Sequence, residues 1–211
     1  GYIADGYYID QDDIAHSPKS TLNNIAVAPG DIKYLDQPDE HGKYDGIIDE
    51  NDQVPLGYST VPEINYGLGG TFTYKQWDFG FHLQGQAHTS LMMSGFSPFG
   101  TNNRRNVLQW IADDHWSKDN QNPHALYPRL TEYDNNQNTR SSTHWLRDAS
   151  FLKLRSLEIG YRFKMARVYV NANNLLTLSS FKLWDPEMGG GKGMSYPLQR
   201  TFNLGVNFTF K

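Results

Sequence analysis

The 211-residue sequence contains no cysteine. Disulfides, thiolate metal sites and cysteine nucleophiles are thereby excluded within it. It also lacks any run of about 18 apolar residues, so no segment reads as a transmembrane helix. Charge of one sign is concentrated nowhere: 19 Lys and Arg stand against 23 Asp and Glu, for a formal net charge of -4. Without a basic block, nucleic acid is a poor candidate partner. The sequence has no phosphate-binding loop, dinucleotide fingerprint or Gly-x-Ser-x-Gly elbow. Its 7 His fall in no metal-ligand spacing.

Hydrophobic residues are few, at 38%, yet 13 Tyr and 11 Phe make the aromatic share high. That composition suits strands better than helices. A mean hydropathy of -0.65 does not argue against a membrane β-barrel, because only alternate residues of each strand face lipid and long loops dilute the average. The alternation is clearest in residues 200–210, RTFNLGVNFTF. Phe202, Leu204, Val206, Phe208 and Phe210 share one side of an extended strand, and Asn203, Gly205, Asn207 and Thr209 share the other. A tilted strand of about 9–11 residues spans a bilayer core.

The same pattern recurs upstream. From Glu63, the residues Tyr66, Leu68, Phe72 and Tyr74 alternate with Gly67, Gly69, Thr71 and Thr73; after a turn near Gln76, Trp77, Phe79, Phe81 and Leu83 alternate with Asp78, Gly80, His82 and Gln84. This predicts a hairpin. A second hairpin is expected over about 150–177, with its short turn at Lys164–Ala166 and a phase slip near Leu154–Arg155 that marks a bulge or a rim position. Residues 1–62, 90–149 and 178–198 read as long loops, with one short helix expected from Arg104 to Trp116, capped by Asn102 or Asn103. The connections thus alternate short and long, as the periplasmic turns and extracellular loops of outer-membrane barrels do. The expected fold is all-β: about five C-terminal strands of a transmembrane antiparallel barrel, 63–211 forming the strands and 1–62 a loop with an Asp-rich turn. Five strands cannot close a barrel alone, and lipid does not tolerate an open edge. The chain is therefore expected to be part of something longer, a view that the leader-free start at Gly1 agrees with.

Nine segments, in order, resemble a known family: GYIADGYYIDQDDIAHSP (1–18), PGDIKYLD (29–36), DGIIDENDQVPLG (45–57), INYGLGGTFTYKQWDFGFHLQGQ (64–86), YPRLT (127–131), STHWLRDASFLKLRSLEIGYRF (142–163), VYVNANNLLT (168–177), WDPE (184–187) and YPLQRTFNLGVNFTF (196–210). Together they resemble the C-terminal part of SusC-like (SusC/RagA family) TonB-dependent outer-membrane transporters of Bacteroidota. The resemblance implies a plugged barrel of about 22 strands. It further implies energised import of glycans or peptides, a SusD-like surface lipoprotein as lid, and coupling to the TonB complex through a part outside this chain. A terminal aromatic is similar to the signal read by the barrel-assembly machinery; Lys211 after Phe210 departs from it slightly.

One stretch looks metal-like. Asp45-Gly46-Ile47-Ile48-Asp49 followed by Asp52 matches the second half of an EF-hand-type loop, with Asp45, Asp49 and Asp52 at its fifth, ninth and twelfth positions. The first half departs from it, since His41 and Lys43 stand where carboxylates are expected; Asp36 or Asp39 could substitute through a longer loop. Asp36, Asp45, Asp49 and Asp52 are therefore candidate Ca²⁺ ligands, against the plainer reading of a solvated acidic turn. A soluble calcium-dependent carbohydrate-binding β-module is the alternative function. The carboxylate pairs Asp113/Asp114 and Asp185/Glu187 could suggest glycosidase chemistry, but sequence supplies no separation across a cleft and such pairs are common in loops, so no enzyme activity and no catalytic residue is expected. Trp110, Trp116, Trp145 and Trp184 could stack on sugars, but packing or a membrane-interface girdle is the simpler expectation, Trp77 and Trp145 looking most girdle-like.

Overall fold

A computed structural model describes residues 1–96, 107–132 and 135–210. The strands in chain order are β1 (Ala4–Tyr7), β2 (Lys19–Ser20), β3 (Ile32–Tyr34), β4 (Ile47–Ile48), β5 (Ile64–Tyr74), β6 (Trp77–Ala87), β7 (Ser90–Met92), β8 (Leu146–Asp148), β9 (Phe151–Arg162), β10 (Ala166–Ser179) and β11 (Thr201–Phe208). The helices are short: α1 (Gln11–His16), α2 (Gln109–Asp113) and α3 (Asn136–Thr139), with 3₁₀ turns at Glu50–Asp52 and Pro186–Met188. The chain divides into two compact units. One comprises residues 1–57 and 93–146, the other 58–92 and 147–211.

The second unit is built on one five-stranded antiparallel sheet in the order β11-β10-β9-β6-β5. Both expected hairpins are present. β5 and β6 pair without a break from Ile64↔Ala87 to Tyr74↔Trp77. Their two-residue turn needs a positive φ, which Lys75 supplies at 55°. Register places Phe72 opposite Phe79, Leu68 opposite Leu83 and Leu204 opposite Val170, so the apolar positions of all strands line one face. Leu68, Phe72, Phe202, Leu204 and Phe208 on that face are each more than 60% exposed. On the opposite face Gly205 is required by its neighbour: a Cβ there would stand 2.4 Å from the Tyr169 ring.

The phase slip near Leu154–Arg155 is a bulge. Between His82↔Ser156 and Leu83↔Leu154, β9 carries one extra residue against β6, namely Arg155. β10 answers with its own irregularity between Asn173 and Leu176, where Asn174 adopts φ 54°. The two insertions keep the apolar face in phase on both sides of the slip.

The first unit is more ordered than the sequence suggests. β1 pairs with β3, and β2 with β4, and its core is aromatic: Tyr2, Tyr8, Tyr34, Trp116, Tyr127 and Trp145 are buried. The predicted helix shrinks to α2, which starts after Leu108 with no side-chain cap. Asn102, Asn103 and Arg104 lie outside the described residues. Trp145 is not a girdle residue, because it is 4% exposed, donates from Nε1 to the Asn138 carbonyl, and packs against Phe96, Tyr127 and His144. Trp77 remains exposed, with its ring edge-to-face on Tyr161.

Candidate functional site

The polar face of the five-stranded sheet carries two ionic clusters. In the first, Arg167 on β10 donates from Nε to Asp78 Oδ2 at 3.0 Å and from Nη2 to Glu158 Oε1 at 2.6 Å, while its guanidinium lies over the Tyr169 ring. Asp78 and Glu158 were legible as polar-face residues from their alternation. Arg167 was not, because it sits at the start of β10, where the pattern is only beginning.

In the second cluster Lys153 on β9 is 1% exposed. Its Nζ donates to Asp185 Oδ1 at 2.6 Å, Asp185 Oδ2 at 2.7 Å and Glu187 Oε2 at 2.5 Å. Arg155, the bulge residue, donates to the other oxygen of Glu187 and to Gln84 Oε1. Asp185 also caps the Pro186–Met188 turn by accepting from Glu187 N–H. The pair Asp185/Glu187, which sequence spacing alone offers as an acid/base couple, is thus a clamp that holds the 180–198 loop to β9. A buried ammonium needs such partners, since an isolated one would cost several kcal/mol. Trp184 closes the loop on itself, its ring edge-to-face on Phe181 and its Nε1 donating to the Gly189 carbonyl.

The first unit is organised by Asp31, 1% exposed, a residue that the sequence reading passed over. Asp31 accepts from Arg129 Nε at 2.6 Å, from the side chains of Asn135 and Asn138 at 2.8 Å each, and from Ala28 N–H at 2.8 Å. Asn138 in turn accepts from Ile32 N–H, Gln137 donates to the Ile32 carbonyl, and Tyr34 donates to the Gln137 carbonyl. Both Asp31 oxygens thus accept from buried or half-buried donors, Oδ2 also from Arg129 Nη2, which is what such burial demands. The run Asn135-Asn136-Gln137-Asn138 reads as ordinary loop polarity until the strand that satisfies it is known.

The acidic turn is folded by its own carboxylates. Asp36 Oδ2 accepts from Gly46 N–H, Asp45 Oδ1 from Ile47 N–H and Asp49 Oδ1 from Asn51 N–H. Gly46 takes φ 77°, the left-handed turn its position in the loop pattern implies. Asp52, 3% exposed, brackets the turn by accepting from Gln37 N–H on Oδ1 and from Asp49 N–H on Oδ2, each at 2.7 Å. Asp36 Oδ1 is buried with no hydrogen-bond partner. Among the described residues no three His, Cys, Asp or Glu side chains are grouped to hold a metal ion. As placed, the four carboxylates serve N–H groups and do not converge into a cation cage.

Comparison with known proteins decides the family. No protein-family model matches the chain. It is 31% identical over 203 residues to TonB-dependent receptor P26 of Formosa agariphila, covering 86% of this chain and 20% of that protein. It is 25% identical over 222 residues to TonB-dependent receptor SusC of Bacteroides thetaiotaomicron, covering 100% of this chain and 20% of that one. The chain belongs to the SusC-like TonB-dependent receptors. Its fold agrees: the RagAB peptide importer in its open-open state superposes with a TM-score of 0.65 at 21% identity, over 99% of this chain and 22% of that one. The five-stranded sheet is accordingly a stretch of an outer-membrane barrel wall. The chain spans about a fifth of the length of the curated relatives it matches.

Proposed function

We propose that the whole protein is a TonB-dependent importer of the bacterial outer membrane, carrying glycans or peptides to the periplasm beneath a SusD-like surface lipoprotein. The observation that carries this reading is the contiguous exposed apolar face of the sheet, running through Leu68, Phe72, Ile159, Val170, Leu204 and Phe208. In water such a face marks an interaction surface or an aggregation site. In a bilayer it is the lipid boundary, and the polar face behind it lines a wet or plugged lumen. The soluble carbohydrate-binding reading needs a second sheet to cover the apolar face, and among the described residues there is only one sheet of more than two strands.

The short turns at 75–76 and 163–165 and the C-terminus are assigned to the periplasm, and the long loops 1–62, 90–149 and 178–198 to the cell surface. This segment then supplies wall, rim and contact surface for the lid. Energy comes through TonB, acting on the plug, and the substrate path opens when the plug is displaced.

Two measurements test this. Labelled oligosaccharide or peptide is expected to accumulate in cells with TonB and not in cells without it; equal uptake in both contradicts the reading. Orientation is tested by single cysteines in a cysteine-free full-length background. Lys192→Cys is expected to react with a membrane-impermeant maleimide on intact cells, and Gln76→Cys only after the outer membrane is permeabilised. The reverse pattern contradicts the assignment.

A further inference from the structure

The polar face of the sheet is set by β6, which pairs with β5 without a break, so Asp78, Gly80, His82, Gln84 and Gln86 share that face. Register puts Lys153 opposite Gln84 and Phe151 opposite Gln86, on the same side. Yet Lys153 is 1% and Phe151 4% exposed, while His82 and Gln84 are exposed. A wet interior does not by itself bury a phenylalanine. What covers this end of the face is the loop between β10 and β11. Its Asp185 and Glu187 grip the Lys153 ammonium, which lies 5.1 Å from the centre of the Phe151 ring.

The loop has its own small core and three attachments to the wall. Phe181 packs on the edge of Trp184, and the Trp184 ring leaves no room at Gly193, where a Cβ would stand 2.3 Å from it. Ser179 Oγ donates to the Ser150 carbonyl at 2.8 Å, where the loop leaves β10. Glu187 is held by Lys153 and Arg155, the third and fifth residues of β9. Gly191 N–H donates to the Met92 carbonyl at 2.8 Å, beside Gly190, whose Cβ would stand 2.5 Å from the same oxygen. The loop therefore turns inward and descends along β9 over the polar face. Its two carboxylates are spent on the wall's two cations, so the strap carries no net charge. Chain packed on the face of a sheet takes up about 10 Å of the space in front of it.

We propose that residues 180–193 form a fixed constriction inside the outer mouth of the barrel, which limits the size of what passes down this side of the lumen, with Lys153 as its positioning residue. The proposal rests on the import reading and on the assignment of the polar face to the lumen. Because the strap is neutral, the selection it imposes is by bulk and not by charge. Releasing the strap lets the loop swing off the wall and widens the path.

The test measures thiol reaction on intact cells in a cysteine-free full-length background. Two membrane-impermeant maleimides are compared, a small sulfonated one and one carrying a long polyethylene glycol chain. His82→Cys lies on the polar face on the periplasmic side of the strap, opposite Ser156; Lys192→Cys lies at the exposed tip of the loop. The ratio of small-reagent to large-reagent rate at His82→Cys is expected to exceed that at Lys192→Cys by about tenfold, an added barrier of about 1.4 kcal/mol for the large reagent. Comparison with Lys192→Cys removes the effect of anything that covers the mouth from outside. Adding Lys153→Gln, which frees the loop, is expected to close most of the gap between the two ratios. Adding instead Lys153→Met with Asp185→Asn and Glu187→Gln, which keeps the loop docked, is expected to leave the gap open. A contact that only stabilised the fold would not move this ratio. Equal ratios at the two positions with the strap intact overturn the proposal, and that comparison stands even if Lys153→Gln fails to assemble. A gap that Lys153→Gln leaves unchanged overturns it too, as does a His82→Cys that reacts with neither reagent. Thiol reaction needs no TonB, so loss of the constriction and loss of TonB-dependent uptake are separate results.

Discussion

Lys153 and Asp185 stand 32 residues apart in sequence and meet at 2.6 Å, with the ammonium 1% exposed. Glu187, in the 3₁₀ turn that Asp185 caps, completes the contact and links it to Arg155. The bulge in β9 is what makes this possible. One extra residue, Arg155, lets the strand present a second cation beside Lys153 without turning Leu154 and Leu157 off the apolar face.

Lys153→Gln leaves Asp185 and Glu187 facing each other without a full counter-charge. Breaking one side of a buried pair costs about 3–5 kcal/mol. The expected result is a freed 180–198 loop, read as faster tryptic cleavage at Lys192 on intact cells. The triple change Lys153→Met, Asp185→Asn, Glu187→Gln removes the charges together and is expected to restore most of the protection. Cleavage at the wild-type rate in Lys153→Gln contradicts the clamp.

The acidic turn is predicted to hold through Asp52 and not through a cation. Asp52→Ala removes the acceptor for Gln37 and Asp49 N–H groups and is expected to expose residues 36–53 to hydrogen exchange. A capping acceptor of this kind contributes about 0.5–2 kcal/mol. Wild-type exchange in EDTA and in millimolar Ca²⁺ is expected to be the same. Protection that appears only with Ca²⁺, and disappears in Asp45→Ala plus Asp49→Ala, would instead establish a calcium loop at Asp36, Asp45, Asp49 and Asp52.

High pH is expected to loosen the first unit before the strand wall. Burial pushes the Tyr8 phenol from 10.0 up to about 12, and Tyr34 and Tyr127 are raised in the same way. The fold therefore favours the neutral phenols. Their contribution is complete below pH 10 and is lost as pH rises through 10 towards 12. Tyrosinate absorbance of the full-length protein is expected to show a late-titrating class that appears together with protease sensitivity in residues 1–57. Ordinary titration of all tyrosines with these loops intact runs against it.

Much of the wall was legible in the sequence because a strand with two unlike faces writes its period into the chain. Both hairpins, the phase slip at Leu154–Arg155 and the terminal strand could be read from alternation alone. The first unit was not legible in that way. Its order comes from side chains that satisfy one another across long separations, Asp31 with Arg129 and Tyr34 with Gln137, and no local period reports such pairings. Trp145 misled for the same reason: beside a strand it resembles a girdle residue, yet its partners Phe96 and Tyr127 bury it. The carboxylates of the acidic turn stood out in the sequence as candidate Ca²⁺ ligands; in the structure their hydrogen bonds come from backbone N–H groups of the turn.

The central claim is that the apolar face of the sheet meets lipid and its other face does not. Leu204 and Asn203 are consecutive on β11 and point to opposite faces, Leu204 opposite Val170 and Asn203 opposite Asn171. An arginine at mid-depth on a lipid face costs about 2–4 kcal/mol. The deciding measurement is the outer-membrane yield of heat-modifiable barrel for full-length Leu204→Arg beside full-length Asn203→Arg. The expected result is a marked loss for Leu204→Arg with Asn203→Arg near wild type; equal yields, or the opposite order, contradict the facing of the sheet and with it the barrel-wall account.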